Sequence, residues 1–206
     1  MNEFTFEYEG NDSIYETYEW DRMWIEQTND DKARRVLYIG DSISEEPRKL
    51  LTPMCGDKIL FDGFATSKGA DNPYFKETLN LVMNQLPKID LVFFSNGLHG
   101  WHLDDEKFAF YYEELVQFLL KKYEKNSIYI FLLTYLECSS FKDRIIPRNE
   151  VIEKIAKKYD LSIVDLYSVV KQNKELISGD GVHLLAEGTE LIAKKIIEVL
   201  KEKELL

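Results

Sequence analysis

A chain of 206 residues, 45% of them apolar, is long enough to bury a sizeable core in one domain, and that composition argues against disorder for its body. The net charge of -11 argues against a nucleic-acid partner, because phosphate binding needs clustered Lys and Arg, and against docking on an anionic membrane. No apolar run approaches membrane-spanning length, and the opening residues lack the basic and apolar regions of a secretion signal, so a cytoplasmic protein is expected.

Residues 1–34 are acidic and aromatic. Phe4, Phe6 and Tyr8 alternate with polar residues, the pattern of a short strand. Trp20 and Trp24 stand four apart and would share one face of a short helix. This segment is expected to pack as an extension on a main domain spanning 35–206, or to form a lip for a partner. From residue 36 onward, strand and helix patterns alternate. Strands are predicted at 36–39, 58–62, 89–95, 128–134 and 162–165. Helices are predicted near 45–52, 74–86, 105–124, 149–159 and 186–203. The strands are apolar runs, as expected where both sheet faces are covered. The fold class is therefore α/β: a three-layer α/β/α sandwich around a parallel sheet of about five strands. Right-handed crossovers place the C-terminal ends of those strands along one rim. Cys55 and Cys138 lie far apart, form no metal-like pair and are expected as buried thiols in a reducing compartment.

Four groups of residues fall on that rim. The first is Gly40-Asp41-Ser42-Ile43, directly after the strand Val36-Leu37-Tyr38-Ile39. Gly40 permits a tight turn, and Ser42 or Ser44 could either cap the next helix or do chemistry. The second is Asp180-Gly181-Val182-His183, before the last helix. A serine hydroxyl needs a base, most often His, and that His works best when an acid holds its other nitrogen. Spaced three apart on one turn, Asp180 could orient His183 toward Ser42; the same residues could form only a turn and a helix start. The third is Asn96-Gly97, an oxyanion donor or a common turn pair. The fourth is Gly69, whose backbone N–H could approach a bound oxygen.

In order and placement, these residues resemble the SGNH (GDSL-type) hydrolase family over about residues 35–203. The resemblance is carried by Gly40-Asp41-Ser42-Ile43, Gly69, Asn96 and Asp180-Gly181-Val182-His183. It implies a flavodoxin-like sandwich that hydrolyses esters without a cofactor. By that resemblance Ser42 is the nucleophile, His183 the base and Asp180 its partner. The N–H groups of Ser42 and Gly69 and the Asn96 side chain form the oxyanion hole. One departure stands out: the family's third block usually reads Gly-x-Asn-Asp, and here Phe94 and Gly97 replace its Gly and Asp.

His99 and His102, with Asp104 and Asp105 nearby, fit none of the usual zinc spacings, so no metal is expected. Asp41, His99, Trp101 and His102 are expected to line the pocket mouth, with Trp101 placed to stack on a sugar ring. The charge-rich helices near 105–125 and 149–158 are expected to present solvated faces. The substrate expected is a small-molecule ester, a short acyl group such as acetyl on a carbohydrate or other small polar alcohol. The alternatives are a lipolytic esterase or thioesterase of the same fold, or a non-catalytic binding module that keeps it. A flavin or nucleotide binder is a further alternative, without a Gly-rich phosphate loop to support it. The oligomeric state is open.

Overall fold

The computed structural model describes residues 14–206, apart from Thr17 and Pro87. The strand expected at Phe4, Phe6 and Tyr8 lies outside the described residues. The elements run β1 (Asp21–Trp24), β2 (Arg34–Gly40), α1 (Ser42–Glu45), α2 (Arg48–Met54), β3 (Ile59–Thr66) and α3 (Phe75–Met83). They continue with β4 (Leu91–Phe94), α4 (Asp105–Leu120), β5 (Ile128–Phe131), α5 (Lys142–Tyr159), β6 (Ser162–Val164), α6 (Leu166–Lys171) and α7 (Ala186–Glu202).

Among the described residues the sheet has six strands in the order β1-β3-β2-β4-β5-β6. Strands β2 to β6 pair in parallel, as expected of the five apolar runs. Helices α3, α4 and α5 pack Phe75, Leu79, Phe108, Tyr112, Ile145 and Ile152 on one face. Helices α2, α6 and α7 pack Leu51, Val170, Ile192 and Ile196 on the other. That layering confirms the α/β/α sandwich. Among the described residues, no helix is long and apolar enough to cross a membrane. Both cysteines are free; Cys55 is buried, but Cys138 is only half-buried.

The sixth strand is a correction. The segment read as a Trp20/Trp24 helix is instead β1, which adds antiparallel to the edge at β3. A spacing of four suits a strand as well as a helix, since strand side chains repeat every two residues. Trp24 lies opposite Gly63 in the register, and its indole N–H donates to the Phe61 carbonyl at 2.7 Å. A Cβ on Gly63 would sit 1.8 Å from the Trp24 ring, so the missing side chain is what seats the indole. Strand β3 also runs four residues past its predicted end at 62. It can carry the buried Asp62 because Arg35 of β2, itself buried, pairs with that carboxylate at 2.9 Å.

Helix predictions shift for similarly local reasons. Pro47 separates two helices where one was expected, and the first of them starts at Ser42 itself. Helix α5 begins at Lys142 rather than near 149, with Pro147 inside it. The short α6 was not predicted.

Candidate active site

Strand β2 ends at Gly40 on the sheet's C-terminal rim. A Cβ there would stand 1.8 Å from Ser44 Oγ, so the turn into α1 depends on glycine. Asp41 is the helix cap: its side chain accepts from the Ile43 N–H at 3.0 Å. Neither Ser42 nor Ser44 therefore has to cap the helix. Ser42 is the first residue of α1, where a backbone N–H has no acceptor within its helix.

Ser42 Oγ lies 2.8 Å from His183 Nε2. His183 Nδ1 lies 2.7 Å from Asp180 Oδ2. The other Asp180 oxygen accepts from Ser178 Oγ at 2.7 Å and from the N–H groups of Val182 and His183 at 2.9 and 3.0 Å. Burial works to raise the Asp180 pKa, but the bonds from Ser178, His183 and the two backbone N–H groups outweigh it. They hold the carboxyl below the ordinary carboxylate range. All three side chains are partly exposed at the rim.

The turn that carries this pair is braced from two directions. Ile177 and Leu184 form an antiparallel bridge across it, and the Ser178 N–H donates to the His183 carbonyl at 2.7 Å. The Gly181 carbonyl accepts from the N–H groups of Glu137 and Cys138 at 2.9 and 3.0 Å. Gly181 has φ +77, and a Cβ on it would meet Cys138 N at 2.6 Å, so glycine is needed on both counts.

Asn96 follows β4 and is buried. Its side-chain N–H group donates to the Lys68 carbonyl at 3.1 Å, which brings the third and second rim loops together. A trans peptide points its N–H away from its carbonyl. The Gly69 N–H, in the same peptide as that carbonyl, therefore faces away from Asn96. It donates to no acceptor among the described residues. A Cβ on Gly69 would come within 2.8 Å of Gly100 Cα, so the two loops touch backbone to backbone.

The loop after β4 is held by two arginines that the sequence reading did not single out. Arg148 is 0% exposed and donates to the carbonyls of Gly97, His99 at 2.9 Å and Gly100 at 2.7 Å. Its guanidinium lies over the rings of Trp101 and Phe108, 4.2 and 4.7 Å from their centroids. Burial, and then the charge of Arg144, pull its pKa down to about 9, which leaves it charged at neutral pH. Arg144 donates to the carbonyls of Trp101 and Leu103. Both arginines lie in the part of α5 that precedes the predicted helix, and they point inward. The available signal was position: Arg148 falls between Ile145 and Ile152 on the buried stripe of α5.

The four residues expected at the pocket mouth divide. Asp41 is 3% exposed; burial raises its pKa, while His99, the Ile43 N–H and His183 pull the other way. His99 is also buried, with Glu16 Oε1 3.5 Å from its Nδ1 and the Trp20 ring edge-on to it at 6.2 Å. The segment before β1 thus reaches over the rim. His102 pairs with Asp71 at 2.7 Å. Trp101 corrects the expectation of a sugar platform: it is 7% exposed and stacked on Phe141 at 4.4 Å, with Arg148 over the same ring. Its ring belongs to the core. Among the described residues, no group of three or more His, Cys, Asp or Glu could hold a metal ion.

No protein-family model matches the chain, and no curated protein does. Solved structures do. The acetyl xylan esterase AlAXEase is 19% identical with a TM-score of 0.63, over 81% of this chain and 99% of that one. A member of the lipolytic G-D-S-L family from Veillonella parvula is 16% identical with a TM-score of 0.64, over 82% of this chain and 99% of that one. An acetylxylan esterase from Geobacillus stearothermophilus is 16% identical with a TM-score of 0.63, over 80% of this chain and 93% of that one. At such identities the likeness is one of backbone architecture, and on that ground the chain has the fold of the SGNH (GDSL-type) hydrolases.

Proposed function

We propose that this protein is a serine ester hydrolase that removes a short acyl group, acetyl, from a carbohydrate or other small polar alcohol. The observation that carries the reading is the continuous chain Asp180–His183–Ser42, with links of 2.7 and 2.8 Å. Asp180 stays ionised and fixes the imidazole so that Nε2 faces the serine hydroxyl. Ser42 Oγ attacks the ester carbonyl as Nε2 takes its proton. His183 then gives that proton to the leaving alcohol, and water removes the acyl group by the same route.

The developing oxyanion would take the Ser42 N–H and an Asn96 amide hydrogen. Gly69 would add its N–H once a substrate oxygen replaces the Lys68 carbonyl on Asn96 and the 68–69 peptide turns over, a motion glycine permits. The activity is assigned to residues 35–206, with the segment before them closing the rim through Glu16 and Trp20. The acetyl xylan esterases among the similar structures support an acetyl group.

The test is turnover of p-nitrophenyl acetate together with fluorophosphonate labelling. The expected result is a single label on Ser42 and loss of turnover in Ser42→Ala. A label elsewhere, or full activity in Ser42→Ala, rejects the assignment.

A further inference from the structure

The loop after β3, which carries Gly69, is fixed from outside by the segment that leads into β1. The Trp20 N–H donates to Ser67 Oγ at 2.9 Å, and the Ser67 N–H donates back to the Trp20 carbonyl at 3.1 Å. Asp21 takes the residues on either side of Ser67. Its Oδ1 accepts from Thr66 Oγ1 at 2.6 Å, and its Oδ2 accepts from the Lys68 ammonium at 2.6 Å. The Lys68 side chain is only 8% exposed, so its charge depends on a partner. Glu19 also faces it: burial raises the Glu19 pKa and the Lys68 charge opposes that rise. Glu19 Oε1, however, accepts from Asn72 Nδ2 at 2.8 Å. Among the described residues, Asp21 is the carboxylate hydrogen-bonded to Lys68.

These bonds stop on either side of one peptide. The Lys68 N–H donates to Thr66 Oγ1 at 3.1 Å, and the Gly69 carbonyl accepts from the Asn72 N–H at 3.1 Å. Between them, the 68–69 peptide is held among the described residues by the bond from Asn96 to its carbonyl. Behind Gly69 stands Gly100, whose own N–H donates to Glu16 Oε1 at 3.2 Å. A planar peptide can rotate about the line joining its two Cα atoms, changing ψ of the first residue and φ of the second while both side chains stay in place. The segment 16–21 thus holds both flanks of the peptide that has to turn and leaves the peptide itself free.

We propose that Asp21 is a positioning residue for the oxyanion hole: by anchoring Lys68 it lets the 68–69 peptide turn alone, so that the Gly69 N–H comes to rest on the substrate oxygen. The inference rests on the hydrolase reading above and gives the segment before β1 a part in catalysis. Without the anchor the loop moves as a whole, and the N–H is in place for a smaller fraction of the time. That lowers kcat more than it changes substrate binding.

The experiment measures kcat and KM for p-nitrophenyl acetate in Asp21→Asn, Lys68→Met and Lys68→Arg, each well below its melting temperature. The expected result is a loss of about tenfold in kcat for the first two, with KM within about twofold, because a donor is misplaced rather than removed. Lys68→Arg keeps the ion pair and should recover most of that loss. In a Gly69→Ala background, where the peptide turn is already hindered, Asp21→Asn should lower kcat no further. An equal loss in both backgrounds would make the pair structural only and overturns the proposal. Wild-type kcat in Asp21→Asn and Lys68→Met, or an effect confined to KM, also overturns it. Should Asp21→Asn fail to fold, Lys68→Met against Lys68→Arg decides from the other end, and equal kcat in those two overturns the proposal. If the wild-type protein takes the fluorophosphonate label on Ser42 in the same experiment, the hydrolase reading survives any of these failures. A wild-type protein that neither takes the label nor hydrolyses the ester overturns that reading and this inference with it.

Discussion

His183 Nε2 stands 2.8 Å from Ser42 Oγ across 141 positions of sequence. The contact joins the end of β2 to the loop before α7. It forms because the Asp41 cap starts α1 at Ser42, while the 177–184 turn carries His183 back over the same rim. Neither segment could place the pair alone.

Asp180→Asn tests the outer link. The remaining carbonyl oxygen can still accept from Ser178, Val182 and His183, so the turn should keep its shape. The amide group cannot accept from Nδ1, so the imidazole loses its fixed tautomer. The expected loss in kcat is about 10³- to 10⁴-fold, with little change in melting temperature. Because Asp180 is held ionised well into acid, protonation of its carboxyl should not limit wild-type activity in the ordinary carboxylate range. An Asp180→Asn enzyme with near-normal kcat would remove Asp180 from the mechanism.

Gly69→Ala tests the second rim loop. The added Cβ would press on Gly100 Cα at 2.8 Å and hinder the peptide turn that Gly69 is proposed to make. The expected effect is a fall of about a hundredfold in kcat for p-nitrophenyl acetate, with Ser42 still reactive toward fluorophosphonate. Unchanged turnover would exclude Gly69 from oxyanion binding.

Much of this site was legible because it is written in local motifs. Gly40-Asp41-Ser42 and Asp180-Gly181-Val182-His183 each form a turn whose own residues fix its shape, and both turns fall where the alternation of elements puts a rim. The five parallel strands were legible for the same reason, as continuous apolar runs. What could not be read depends on distant partners. The strand β1 exists because Gly63 leaves room for Trp24, and Trp101 is core because α5 brings Phe141 and Arg148 to it. Arg148 shows its place on the buried stripe of α5, but the carbonyls it holds lie in a loop far away in the sequence.

Arg148 should matter to both stability and turnover. Three carbonyls of the loop after Asn96 accept from it, and among the described residues no carboxylate is hydrogen-bonded to it. Arg148→Met leaves those carbonyls buried without a donor, at an expected cost of about 4 kcal/mol in chemical denaturation. Arg148→Lys keeps the charge but loses the planar fork, so it should recover only part of that stability. Its kcat should fall more than its KM changes, because the loop that positions Asn96 is loosened. Wild-type stability in Arg148→Met would show that the loop holds without it.

Asp41→Asn separates the cap from the charge. Asparagine caps as well as aspartate, so the bond to the Ile43 N–H should survive. The other Asp41 oxygen is buried with no hydrogen-bond partner among the described residues, so no bond is lost there. Burial raises the Asp41 pKa in the fold, which means the folded state holds this proton more tightly than the unfolded chain does. Stability therefore falls as pH rises from the ordinary carboxylate range through the raised folded value, and the charged carboxylate carries that cost at every higher pH. The variant has no such proton to lose. Its melting temperature relative to wild type should rise as pH increases above the ordinary carboxylate range and then level off. A difference that stays constant would mean that His99 and His183 offset the burial penalty on the Asp41 charge, and one that shrinks as pH rises would mean that they outweigh it; either result contradicts the expected rise.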